Sequence, residues 1–162
     1  MRLSESIEVH APRQMVWDYA SDPSNCLHFM AGVTRWEVVG EQRTGLGARY
    51  RVLTRVGSAD VGGLIEVVEW DPPRDVAWSS VLGVDQRGRW RLRELGAGRT
   101  RVELRYAYGV AGAGISGWLA ELVAAPQLGG LLRRSLVQLK RQVEHQHLRE
   151  QAARRRRERE AA

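Results

Sequence analysis

The chain has 162 residues, 43% of them hydrophobic and 27% charged, with a formal net charge of +6. Those proportions describe one globular domain with a real core and exclude a disordered chain. The single cysteine, Cys26, excludes an internal disulfide. No run approaches the ~18 apolar residues that cross a bilayer, and Met1–Ser6 lacks the apolar stretch of a signal peptide, so a cytoplasmic location is expected.

The positive charge is uneven. Residues 149–160 hold six arginines and three glutamates, and Lys140 is the only lysine in the chain. With abundant Ala, Gly and Val, this looks like the high-GC coding bias of an actinobacterial-like composition, which weakens the arginine count as evidence for phosphate binding. The expected organisation is one domain over residues 1–148 and a charged, Arg-rich tail over residues 149–162.

In chain order, Ser6-Ile7-Glu8-Val9-His10 alternates and predicts an opening strand. Pro12 stands where a helix begins, and Val16, Trp17, Tyr19 and Ala20 supply its apolar face. Ser21-Asp22-Pro23 is a second helix start, leading into a short helix with Cys26, Leu27, Phe29 and Met30. Strands then follow at hairpin spacing: Thr34–Val39, Ala48–Val56, Val61–Trp70, Val76–Leu82, Gly88–Leu95 and Thr100–Val110. Gly62-Gly63 inside a strand predicts a bulge. Val52, Thr54 and Val56 alternate with Arg51 and Arg55, and Val102, Leu104 and Tyr106 with Arg101, Glu103 and Arg105. One face of the sheet is therefore covered and the other wet.

The cover comes last. Leu128, Leu132, Ser135, Leu136, Leu139 and Val143 recur at helical spacing. A shorter segment, Ile115–Ala125, precedes them, and Pro126 predicts a kink or restart. Beyond His147 the stripe fades into a solvated or frayed end.

The order of strand, two short helices, six strands and long helix resembles the helix-grip fold. The chain resembles the SRPBCC, or START / Bet v 1-like, superfamily, in particular its bacterial polyketide cyclase/dehydrase-like branch. The likeness is carried by Ser6-Ile7-Glu8-Val9-His10-Ala11-Pro12 with Val16-Trp17-Asp18 and Asp22-Pro23, by Glu69-Trp70-Asp71-Pro72-Pro73 with Trp78, and by the Leu-rich final helix. It covers about residues 3–147. It implies an α+β fold, a seven-stranded antiparallel sheet wrapped around a long C-terminal helix, with an apolar pocket between them. It implies no particular chemistry, since members bind lipids, hormones and quinones, cyclise polyketides or contact macromolecules.

Several constellations could carry chemistry. Gly112-Ala113-Gly114-Ile115-Ser116-Gly117 fits G-x-G-x-x-G, yet a dinucleotide site needs a parallel strand after the helix, and here the chain ends in the helix. A strand-to-helix linker is the simpler reading. His145 and His147 lie two apart on a helix and point apart, which makes poor chelators. Cys26 and His28 suggest a nucleophile and base, but no third group orients them, and a buried cysteine behaves as a small hydrophobe. His28 borders the pocket mouth of the expected fold, or the surface. The band of Arg49, Arg51, Arg55, Arg89, Arg91, Arg93, Arg101 and Arg105 could meet an acidic partner, but charge on a wet sheet face also prevents edge association.

The leading expectation is a small hydrophobic ligand, aromatic, polyketide-like or isoprenoid, bound in an internal pocket. The ligand-contacting residues expected are His28, Met30, Tyr50, Thr54, Trp78, Ser80, Trp90, Tyr106, Tyr108 and Leu132, with no catalytic residue singled out. The alternatives are a cyclase/dehydratase-type enzyme and a macromolecule-interaction module using the arginine face. No cofactor, metal or nucleic-acid partner is expected, and the oligomeric state is left between monomer and weak dimer.

Overall fold

The computed structural model describes residues 2–109 and 114–162, with side chains of the second segment described from Pro126 onward. Strand β1 (Arg2–Val9) is followed by helix α1 (Arg13–Ser21), a single 3-10 turn (Pro23–Asn25) and the one-turn helix α2 (Cys26–Phe29). Six strands succeed one another: β2 (Val33–Val39), β3 (Arg49–Val56), β4 (Ala59–Asp71), β5 (Asp75–Gly83), β6 (Asp85–Gly96) and β7 (Arg99–Gly109). Helix α3 (Gly114–Glu160) closes the chain. The expected fold is the one observed.

The sheet is a meander with one displacement. Its order is β1-β7-β6-β5-β4-β3-β2, antiparallel throughout. Strands β1 and β2 sit at opposite edges, so the segment between them, α1 and α2, must cross the sheet. It does so on the covered face, where Val16, Trp17, Cys26 and Phe29 are buried. Asp22 starts the crossing turn, its carboxylate accepting the Ser24 backbone N–H at 2.9 Å, with Pro23 in the first turn.

The glycine pair in β4 plays a different part from the one expected. The register between β3 and β4 runs unbroken through Gly62 and Gly63. The irregularity falls just after them, between Leu64 and Ile65 on the β5 side. What the glycines permit is close approach. A β-carbon on Gly62 would stand 2.0 Å from the Val52 carbonyl oxygen, and one on Gly63 2.0 Å from that of Leu82. No side chain fits there.

Helix α3 is continuous. Pro126 lies within it and neither ends nor restarts it. A proline forfeits one backbone hydrogen bond and crowds the preceding turn, and the stripe beyond it anchors the helix. Leu132, Ser135, Leu136, Leu139 and Val143 are all buried. The Arg-rich end remains helical to Glu160 and is exposed along almost its whole length. Lys140 ties the middle of α3 to β1, donating to the Glu8 carbonyl at 2.8 Å and to Glu144 Oε1 at 2.6 Å. Glu144 in turn accepts the His10 backbone N–H at 2.8 Å. Val110, Gly112 and Ala113, expected at the end of the last strand and in the glycine-rich linker, lie outside the described residues.

Candidate ligand cavity

Between the sheet and α3 lies a cavity of about 430 Å³. Its walls follow from the alternation of the strands. Val52, Thr54 and Val56 of β3 and Leu104, Tyr106 and Tyr108 of β7 all face inward, two residues apart. Strand β4 adds Val61, Gly62 and Ile65, β5 adds Trp78 and β6 adds Gln86. Met30 and Ala31 follow α2, and Gln127, Leu128, Leu131, Leu132 and Ser135 descend from α3. Gly57, Ser58 and Gln127 are exposed while Ile65, Trp78, Gln86 and Leu104 are buried. The cavity therefore opens at the β3–β4 turn beside the upper part of α3 and deepens toward β5 and β6. Among the described residues, no charged side chain lines it.

Its polar groups are few. The Tyr106 hydroxyl donates to Gln86 Oε1. The Gln86 backbone N–H donates to Ser80 Oγ at 3.2 Å. Gln86 Nε2 is buried and meets no hydrogen-bond partner. Ser135 is committed to the scaffold: its hydroxyl accepts the Ala31 N–H and donates to the Leu131 carbonyl, both at 2.8 Å. Burial, and then neighbouring Tyr108, push the Tyr106 phenol well above the usual tyrosine range. It stays protonated at neutral pH and serves as a hydrogen-bond donor, not a base.

Of the ten residues singled out from the sequence, six line this cavity: Met30, Thr54, Trp78, Tyr106, Tyr108 and Leu132. Tyr50 and Trp90 lie elsewhere on the covered face, around a hollow of about 40 Å³ with Cys26, Phe29 and Trp36. Met30, Ile65 and Trp78 border both spaces and form the partition. The Tyr50 hydroxyl donates to the Arg43 carbonyl at 2.5 Å. Its acidity is lowered, with the pKa pushed up to about 12, by burial first and by the nearby Cys26 next. Ser80 stands behind Gln86 as its support. His28 is exposed and borders neither space. Cys26 is buried, and burial pushes its thiol far above the usual range, so no thiolate is available there.

Gln86 is the residue that sequence reasoning missed. Its strand was expected to begin at Gly88, whereas β6 begins at Asp85. Extending the alternation of Leu92 and Trp90 back by two and four residues reaches Gly88 and Gln86 on the same inward face.

On the outer face, five of the eight arginines in the band are neutralised: Arg49 by Glu66, Arg55 by Asp60, Arg89 by Glu69 and Asp75, Arg91 by Asp75 and Arg105 by Glu103. The described residues contain no cluster of three or more His, Cys, Asp or Glu arranged to hold a metal ion. No helix among them is long and apolar enough to cross a membrane.

A seven-stranded antiparallel sheet curled around a long C-terminal helix, with an apolar cavity between, defines a helix-grip domain. The chain belongs to the polyketide cyclase / dehydrase and lipid transport family, whose model matches residues 1–144. No curated protein sequence is significantly similar to it. Among solved structures it is similar to TTHA0849 from Thermus thermophilus, with 24% identity over 88% of this chain and 97% of that one and a TM-score of 0.75. It is similar also to the Zhui aromatase/cyclase from a Streptomyces species, with 18% identity over 89% of this chain and 93% of that one and a TM-score of 0.72. The di-domain aromatase/cyclase BexL shares 20% identity over 89% of this chain and 46% of that one, with a TM-score of 0.62.

Proposed function

We propose that the protein binds a neutral, largely hydrophobic small molecule between its sheet and α3. The observation that carries this reading is the cavity of about 430 Å³, bordered by aliphatic and aromatic side chains and, among the described residues, by no charged one. Small-molecule sites are typically ~300–1,000 Å³, mostly apolar, with a few polar groups that set orientation. Aromatic, polyketide-like and isoprenoid molecules all meet those terms. Burying an ionised ligand without a partner charge would be costly. The test is titration with the neutral dye Nile red, read by fluorescence. Saturable binding is expected, and Thr54→Trp, which fills the cavity from β3, is expected to abolish it. A dye that binds the two proteins equally would place binding elsewhere and overturn the reading.

A second reading, cyclisation or dehydration of a bound polyketide-like chain, is favoured by the family and by the Zhui and BexL aromatase/cyclases among the structural neighbours. The described wall offers no imidazole, carboxylate or amine to remove a proton. An enzyme built on it would act by holding a reactive chain in a folded conformation, with the unpartnered Gln86 carboxamide N–H donating a hydrogen bond to oxygen that gains charge. The arginine face is not proposed as a macromolecule site, because most of its band is already paired.

A further inference from the structure

Gln86 lines the cavity and carries a buried amide nitrogen that has no hydrogen-bond partner. Its residue is 5% exposed, so its carboxamide is shielded from bulk water. Both ends of the residue are fixed. Ser80 holds the backbone N–H, and the Tyr106 hydroxyl occupies the carboxamide oxygen. The phenol hydrogen needs an acceptor, which directs Oε1 toward Tyr106 and leaves the NH2 group as the free half of the amide. That nitrogen is buried and meets no partner, and an unsatisfied buried donor is destabilising wherever it occurs.

We infer that the ligand presents an uncharged hydrogen-bond acceptor, a ketone or ester carbonyl oxygen, to the Gln86 carboxamide NH2. This inference rests on the cavity being the binding site. The acceptor is neutral because no lining cation among the described residues would compensate a carboxylate or phosphate. It is an acceptor because the group left without a partner is an N–H donor, whereas the amide oxygen already receives the Tyr106 hydroxyl. The rest of the ligand is apolar, facing Val52, Ile65, Trp78 and Leu104. Tyr106 acts here as a positioning residue, setting which end of the amide faces the ligand. Gln86 becomes a determinant of specificity: the deep end of the cavity discriminates a carbonyl compound from a hydrocarbon of the same shape.

Two probes of nearly equal size, acetylnaphthalene and ethylnaphthalene substituted at the same ring position, separate these ideas. Each is titrated, by displacement of Nile red, against the natural protein, Gln86→Leu and the length-conserving Gln86→Met, with folding of each variant checked by its melting transition. The expected result is a roughly 3- to 10-fold loss of affinity for the ketone in both variants, with hydrocarbon affinity unchanged or improved. Should Gln86→Leu fail to fold, Gln86→Met carries the test. Equal losses for both probes, or no loss for the ketone, would overturn the assignment of a carbonyl acceptor while leaving the cavity as the binding site. Failure of both probes and of the dye to bind the natural protein would overturn the cavity reading, and the inference with it.

Discussion

The Trp78 indole occupies the space where a side chain on Gly88 would begin: a β-carbon there would lie 1.9 Å from Trp78 Cζ2. The two residues are cross-strand partners on β5 and β6, so the ring leans over its partner's bare backbone. Trp78 is thereby held as the partition between the large cavity and the small hollow behind it. Gly88→Ala cannot be accommodated without moving the ring. The expected outcome is a loss of stability of ~1–3 kcal/mol, as for other overpacked cores, together with altered Nile red binding. Denaturant unfolding and dye titration on the same variant check it. A variant as stable as the natural protein, with the same dye affinity, would show that the ring has room to move.

The stripe on α3 divides into two environments that should respond differently to truncation. Leu139 is completely buried in the core, whereas Leu132 borders the cavity. Leu139→Ala leaves a new void and is expected to cost ~2–5 kcal/mol. Leu132→Ala enlarges a space that already exists, so its cost should fall at or below the lower end of that range. Urea unfolding of the two variants gives the comparison, and a Leu132 variant the less stable of the pair would contradict the assignment of the two faces.

The same distinction explains what could be read in advance. Alternation such as Val102, Leu104 and Tyr106 against Arg101, Glu103 and Arg105 fixes which face of a strand is covered, because side chains change sides at every residue. It does not fix what covers that face at each point along the strand. Tyr50 and Trp90 face inward as Tyr106 does, yet α1 and α2 pack over their end of the sheet and leave only a remnant hollow. Partition between filled and empty core depends on contacts distant in sequence, such as the Phe29–Trp90 ring pair at 5.9 Å. Helical spacing identified the buried face of α3, but local proline rules pointed to a kink or restart at Pro126, and the helix runs through that residue without restarting. Gln86 was hidden because polar residues near a hairpin read as turn, and its burial is visible only once the neighbouring strands are in register.

Glu144 should make stability depend on pH. Burial alone would raise its pKa, but the hydrogen bond from Lys140, the His10 backbone N–H and the nearby positive charge outweigh burial and bring it below the ordinary 4.5. A carboxyl whose folded pKa is depressed binds protons more readily in the unfolded chain. Its contribution is therefore full above the unfolded pKa and is lost as pH falls through the folded one. Glu144→Gln is expected to destabilise the protein at neutral pH. The gap between variant and natural protein should close in acid, below about pH 4. Melting temperatures measured from pH 7 downward test this, and a gap that persists unchanged into strong acid would mean the loss is one of packing and not of charge.

Tyr106→Phe separates a protein that only binds from one that also catalyses. Removing the hydroxyl frees Gln86 Oε1 and releases the carboxamide from the orientation that Tyr106 sets. For a binder, affinity for a carbonyl probe should change by the ~0.5–1.5 kcal/mol of a hydrogen bond, and nothing else should follow. Because burial keeps this phenol protonated, binding to the natural protein should be insensitive to pH from about 7 to 10. For a cyclase that uses the phenol in proton transfer, turnover of a polyketide-like substrate should fall ~10²–10⁴-fold while binding persists. His28→Ala serves as the control on the same assays: the residue is exposed and borders neither cavity, so both affinity and turnover should be unchanged. Calorimetry and product detection by mass spectrometry distinguish the outcomes. Intact binding with collapsed product formation in Tyr106→Phe would favour the enzyme. Because burial keeps the phenol protonated and its hydrogen is given to Gln86, the pattern expected for Tyr106→Phe is the binder's, in which the phenol sets the direction of the Gln86 amide and takes no proton from the ligand.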